Sequence, residues 1–335
     1  MREQIQIEIN LFADYLDWIG AETDRLRAYG FRFQTYEEWK SDSKQRHPSE
    51  GTPESEWTDS FKLNRMYLYE NFRRRFIDER PRKIEYAKDI DWPDECLNGL
   101  MLLETRIRKG QSLFPHMSTQ LFIPNSRDDM LLEWGIHHFH LGDEVHPNHP
   151  QMVSRTGDLI YALVEPDTVY FIALSPHGRW ADIELLNIVY RDFPQLLLRY
   201  EMKGLSPQST PLTEEERRTL RKKGYNVMVD IDGRVFSPPG ELRNCAGGRR
   251  EVVFEYHRRL AWYEAAERAI TEAIQRKFAE EGAEKTPLPR HMKLKMFVHE
   301  DRQLVLHDKE NSWEVILHLR ENGRDYDYLQ IRTLL

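Results

Sequence analysis

Apolar residues recur at helical spacing over residues 5–29, at Ile5, Ile9, Phe12, Leu16, Ile19 and Leu26, and Gly30 supplies a stop. The polar stretch 41–59 has few core formers and reads as a loop. Helical periodicity returns over 61–79, with arginines and aromatics mixed. It returns again over 92–109, where Leu97, Leu100, Leu103 and Ile107 form one stripe ahead of Gly110.

The period then shortens. GIHHFHLG, DLIYALVE and TVYFIALS are three strand-like runs, the last two separated by the turn signal Pro166-Asp167. Residues 181–198 follow as an amphipathic helix carrying Ile183, Leu186, Val189 and Tyr190, so an antiparallel sheet covered by one helix is expected. Beyond the Pro/Ser linker 206–211, Thr213 and Glu216 have capping-box spacing at the head of a short basic helix. NVMVDIDGRVFSP reads as a hairpin over Asp232-Gly233, and 251–281 is the longest helical pattern. The tail holds four more strand patterns, MKLKMFVH, RQLVLH, WEVILHL and DYLQIRTLL. The class is α+β. Three consecutive parts are expected: a helical region 1–110, a histidine-rich module 111–205, and a mixed domain 206–335 built on the long helix 251–281.

Composition narrows the function. The 335 residues carry 48 Lys+Arg against 56 Asp+Glu, a net charge of −8, so a generic polyanion binder is excluded and nucleic acid would need a local basic patch. Two cysteines, Cys96 and Cys245, lie far apart and outside any CxxC spacing, as suits a reducing compartment. No run approaches the roughly 18 apolar residues of a membrane span, and MREQIQIEIN lacks a signal-peptide pattern. A cytoplasmic protein without a membrane partner is expected.

Seven of the 13 histidines, namely His116, His137, His138, His140, His146, His149 and His177, fall between residues 116 and 177. In an extended strand His138 and His140 share one face, and His137, Phe139 and Leu141 the other. Regular alternation would also line up Val169, Phe171, Ala173 and Ser175 with His177. Three readings stand side by side. The histidines are ordinary half-buried polar residues; or one of them, near its natural pKa, serves as general acid or base; or His138, His140 and His177 bind a divalent transition metal in a hydrolase site.

The run RTGDLIYALVEPDTVYFIALSPHG resembles the last strands of the RelE/YoeB family of small toxin ribonucleases, over about 40 residues. Leu159-Ile160-Tyr161 match that family's LVY core, Asp167 lies in its acidic turn, and His177 matches the terminal histidine of its last strand. Asp158 stands in place of the family's strand arginine and Gly178 in place of its tyrosine, with Arg155 and Arg179 near enough to substitute. The resemblance implies metal-independent RNA cleavage, with His177 as general acid or base, His138 and His140 assisting, and Arg155 or Arg179 stabilising charge on the phosphorane. It implies RNA and an antitoxin or defence-complex protein as partners. WGIHHFHLG is similar to a segment of proteins of bacterial mobile elements, which fits a toxin or phage-defence effector. A non-enzymatic assembly protein is the further alternative.

A nuclease must also hold phosphates. The segment from Gly110 to Leu205 has six Lys/Arg against twelve acidic residues, so the basic surface is sought elsewhere. Arg73, Arg74 and Arg75, with Tyr69 and neighbouring aromatics interleaved, form the candidate nucleic-acid surface; the competing reading is a solvated helix face with its aromatics packed inward. The run Arg217–Lys223 follows three glutamates and reads as an ordinary helix with its dipole complemented.

Overall fold

The computed structural model describes residues 5–43, 51–176, 183–207, 210–242, 249–281, 290–300, 303–319 and 326–333. In chain order the elements begin β1 (Gln6–Ile9), α1 (Leu11–Ala28), α2 (Tyr36–Ser43), α3 (Glu54–Arg73), β2 (Lys83–Tyr86) and α4 (Asp94–Lys109). Two short 3-10 turns lead to α5 (Asp129–Trp134), β3 (Ile136–His140), β4 (Val145–His146), β5 (His149–Val153), β6 (Asp158–Val164) and β7 (Thr168–Pro176). Then come α6 (Glu184–Asp192), α7 (Pro194–Leu198), α8 (Glu214–Lys222), β8 (Val229–Ile231) and β9 (Arg234–Phe236). The long α9 (Arg250–Glu281) precedes β10 (His291–Glu300), β11 (Gln303–Asp308), β12 (Trp313–Leu319) and β13 (Tyr326–Thr333). The class is α+β.

The chain forms two compact units: Met1–Ala28, Gln34–Met66 and Val253–Leu335 in one, Tyr29–Phe33 and Tyr67–Val252 in the other. This differs from the three consecutive parts expected, because both ends of the chain share one unit. In that unit β1 pairs in parallel with β10, and β10 to β13 continue as an antiparallel meander. The amphipathic faces of α1 and α9 meet through Phe12, Tyr15, Tyr256 and Tyr263. The Glu267 carboxylate accepts the N–H of Leu11 at 2.6 Å, satisfying a donor that the first turn of α1 would otherwise leave open.

The second unit is built on a four-stranded sheet of order β2-β7-β6-β3, with β2 parallel to β7 and the other pairs antiparallel. Each face carries a core. On one, Leu185, Val189, Leu196 and Phe236 pack with Ile136, Leu159 and Tyr161. On the other, Leu100, Leu103, Ile107 and Phe122 pack with Phe139, Ile160, Ala162 and Phe171. Register pairs His138 with Tyr161 and His140 with Leu159, so both histidines face the first core. Helix α4 comes so close to the end of β3 that a Cβ on Gly99 would sit 1.7 Å from the Leu141 carbonyl oxygen; only glycine fits there.

Several expectations change. Residues 6–9 form a strand before α1 rather than its first turn. The stretch read as a loop contains the end of α2 and the start of α3, and its residues 44–50 lie outside the described residues. The covering helix is two helices: Pro194 lacks an N–H and cannot continue α6, but suits the first position of α7. In β7, Tyr161 pairs with Ala173 and Ala162 with Phe171, so Ile172 is an extra residue, a β-bulge. Val169 and Phe171 therefore face one core while Ala173 packs against the other, and the single-faced row from Val169 to Ser175 does not form.

Candidate functional site

A cavity of about 430 Å³ opens in the second unit, bounded by His137 and His138 of β3, the start of α5, the chain just past α3, and one side of α8. The local sequence RDDMLLEWGIHH builds half of it. Asp128 caps α5, its Oδ1 accepting the N–H of Leu131 at 3.0 Å. The helix ends at Gly135, whose φ of 69° turns the chain directly into β3. That short path brings His138 back beside the cap, with Nδ1 3.6 Å from Asp128 Oδ2. His138 is 8% exposed, so its ring is held by its surroundings. Its neighbour His137 is half-buried, and burial pushes its pKa down to about 4 against the opposing pull of Asp128; the ring is neutral at pH 7.

The cations arrive from three directions. The Arg75 guanidinium is buried and, among the described residues, donates to backbone carbonyls, Nη1 to Gln120 at 3.2 Å and Nη2 to Leu121 at 3.4 Å and Ile123 at 3.0 Å. Burial lowers its pKa to about 10, with Arg249 adding in the same direction, so it stays charged at neutral pH. Arg127 adjoins Asp128, and Arg218 and Lys222, one turn apart on α8, reach the same space. Arg221 also lines the cavity, but its charge is met by the buried carboxylate of Glu133, and its guanidinium lies 4.3 Å from the centre of the Trp134 ring. The capping box at Thr213 and Glu216 forms as its spacing predicts and starts this helix.

The residues singled out from sequence do not all meet here. His138 lines the cavity. His140 is 3% exposed, its ring centre 6.3 Å from that of His138 and away from the cavity wall; its carbonyl accepts from His116 Nδ1 at 2.8 Å. Arg155 donates to the Met117 carbonyl at 2.9 Å and to Met152 Sδ at 3.2 Å, a structural tie with its pKa lowered by burial to about 10. His177 and Arg179 lie outside the described residues. Among the described residues no group of three His, Cys, Asp or Glu is placed to hold a metal, and His138 and His140 do not form one.

The basic triplet separates. Arg73 is exposed, 3.8 Å from Glu70; Arg74 pairs with Glu241 at 2.9 Å; Arg75 alone enters the cavity wall. Tyr69 is half-buried, and Phe72 and Phe76 pack into an aromatic cluster with Phe31 rather than standing free to stack on bases. The residues that sequence reasoning passed over are Asp128, Asp129, Arg127 and the α8 side chains. Their signals are present in the chain: an Asp before an apolar turn and a glycine, and the i,i+4 pairs Arg217/Arg221 and Arg218/Lys222 on a helix otherwise read as solvated. Among the described residues no helix is long and apolar enough to cross a membrane. No protein-family model, curated protein or solved structure matches the chain.

Proposed function

We propose that the chain is a ribonuclease of the toxin or phage-defence kind, acting by histidine acid–base chemistry in the cavity bounded by His137 and His138. The carrying observation is the His138–Asp128 pair on a cavity where Arg75, Arg127 and Lys222 outweigh Asp128 and Asp129, with Arg221 matched by Glu133 and Arg218 by Glu214. His138 removes the proton of a ribose 2′-hydroxyl, and the 2′-oxygen attacks the adjacent phosphorus. The bond to the 5′-oxygen breaks, that oxygen takes a proton from water, which regains one from the His138 imidazolium, and a 2′,3′-cyclic phosphate remains. Asp128 orients the imidazole and offsets the charge it acquires. Arg75 is ready to meet the phosphate because its hydrogen bonds among the described residues go to neutral carbonyls, while Arg218 and Lys222 steer the polyanion from the rim. The toxin or defence role, an antitoxin partner, and the parts of His177 and Arg179 rest on the family resemblance.

The test is a labelled single-stranded RNA incubated with the purified full chain. Fragments ending in a cyclic phosphate are expected, and His138→Ala should lower the rate by about 10²–10⁴-fold. Because His138 is buried, Asp128→Asn is the companion variant: it keeps the cap and removes the charge facing the ring. No cleavage across varied RNAs, with or without divalent cations, overturns the reading. So does full activity in the Asp128→Asn protein.

A further inference from the structure

Glu241 holds two arginines that reach it from separate parts of the second unit. Its Oε1 accepts from Arg74 Nη1, just past α3, at 2.9 Å, and its Oε2 from Arg249 Nη1, just ahead of α9, at 2.8 Å. The loop that carries Glu241 is pinned one residue earlier. The Gly240 N–H donates to the Glu133 carbonyl at 2.7 Å, and a Cβ on Gly240 would lie 2.5 Å from the Leu132 carbonyl oxygen, too close for any side chain. Leu132 and Glu133 belong to α5, the helix whose cap, Asp128, faces His138. Glu241 thus ties the end of α3 and the start of α9 to the helix that borders the cavity.

None of these three side chains lines the cavity, yet their charges reach it. Arg249 is 6% exposed, and its charge bears on Arg75 and on His137, both of which line the wall. Solvent and salt screen a buried charge little. Arg74, Arg75 and Arg249 therefore gather on one side of the cavity, and Glu241 is bonded to the first and the last of them. While Glu241 is charged, those two are matched and Arg75 is the one that faces the phosphate. We infer that Glu241 is a positioning residue of this cavity: through Arg74 and Arg249 it restrains how strongly the wall at Arg75 attracts a polyanion. The inference rests on RNA being the ligand of the cavity.

A single-stranded RNA methylated at every 2′-oxygen resists cleavage by the 2′-hydroxyl route and reads binding alone. Fluorescence anisotropy of the full chain with this probe, from low to high salt, compares Glu241→Gln and Arg74→Met with the wild type. Glu241→Gln leaves two cations unmatched. It should bind about threefold or more tightly at low salt, with a salt slope steeper by roughly 0.7 for each further phosphate neutralised. Arg74→Met leaves the carboxylate with one partner, and should bind about threefold or more weakly with a shallower slope. An architectural tie would instead weaken binding in both variants, since either change loosens the wall. Weaker or unchanged binding in Glu241→Gln overturns the inference. Should that variant fail to fold, Arg74→Met decides, because its side chain is 26% exposed; an unchanged salt slope there is the overturning result. A wild-type chain that does not bind the probe overturns the RNA reading and this inference together, whereas binding that neither variant alters overturns this inference alone.

Discussion

Asp128 divides its carboxylate between two elements: Oδ1 closes the first turn of α5 through the Leu131 N–H, and Oδ2 stands 3.6 Å from His138 Nδ1 on β3. One side chain thus links helix start and strand. Asp128→Ala and Asp128→Asn should separate the two uses. Alanine loses the cap and should cost about 1 kcal/mol more in stability than asparagine, which retains it. Both should lose RNA cleavage alike. Urea unfolding alongside a cleavage assay reads both quantities.

Polyanion binding should depend on α8 rather than on the arginine triplet as a block. Arg218 is exposed and Lys222 likewise, so Arg218→Glu with Lys222→Glu should fold normally, weaken RNA binding and lower the salt slope by roughly one for each phosphate no longer neutralised. Arg73→Glu, away from the cavity wall, should leave both unchanged. Equal effects from the two sets, measured by fluorescence anisotropy from low to high salt, would point back to the α3 face.

Acid should destabilise the fold through its buried histidines. His116 is fully buried, its Nδ1–H donates to the His140 carbonyl, and its Nε2 has no partner among the described residues, so protonation would place a second N–H in an apolar core. Its pKa falls from 6.5 to about 4, chiefly by burial, and that of His137 does the same. The unfolded chain therefore binds protons between pH 6.5 and about 4 that the folded chain refuses. The stability is fully present above pH 6.5 and is lost as pH falls through that window, by about 3 kcal/mol for His116. In His116→Asn, whose amide can still reach the carbonyl, this share of the pH dependence should disappear from denaturant midpoints measured at pH 7 and pH 4.5.

The buried Glu133–Arg221 pair anchors α8 against α5. Glu133→Gln leaves the buried Arg221 guanidinium without the carboxylate it pairs with, and should cost about 3–5 kcal/mol. Adding Arg221→Met should recover part of that loss, since the pair's removal leaves one fewer uncompensated charge. A double-mutant cycle in urea checks the coupling.

Much of the fold was legible in periodicity. The three central strands, α4 with its Gly110 stop, the hairpin over Asp232-Gly233 and the long helix all follow from alternation, helical stripes and turn chemistry. The four-residue strands β1 and β2 were not, because QIEI and KIEY have no signal outside their parallel partners. At the site, His138 was visible as a candidate, but nothing in a strand pattern shows that His140 turns into a core or that Arg155 reaches for Met117. Three consecutive arginines look like one patch in a sequence. At the end of α3 they point to solvent, to Glu241 and into the cavity wall.

The bulge in β7 has an outcome for how this strand tolerates changes in length. Removing any regular residue from β7 would transpose every following side chain to the opposite core. Removing Ile172 would not: Phe171 already pairs with Ala162 and Ala173 with Tyr161, so the ladder closes with each neighbour on its own face. Ile172 marks the seam where the strand can shorten by one residue without scrambling the sheet, at the expense of a single side chain from one core.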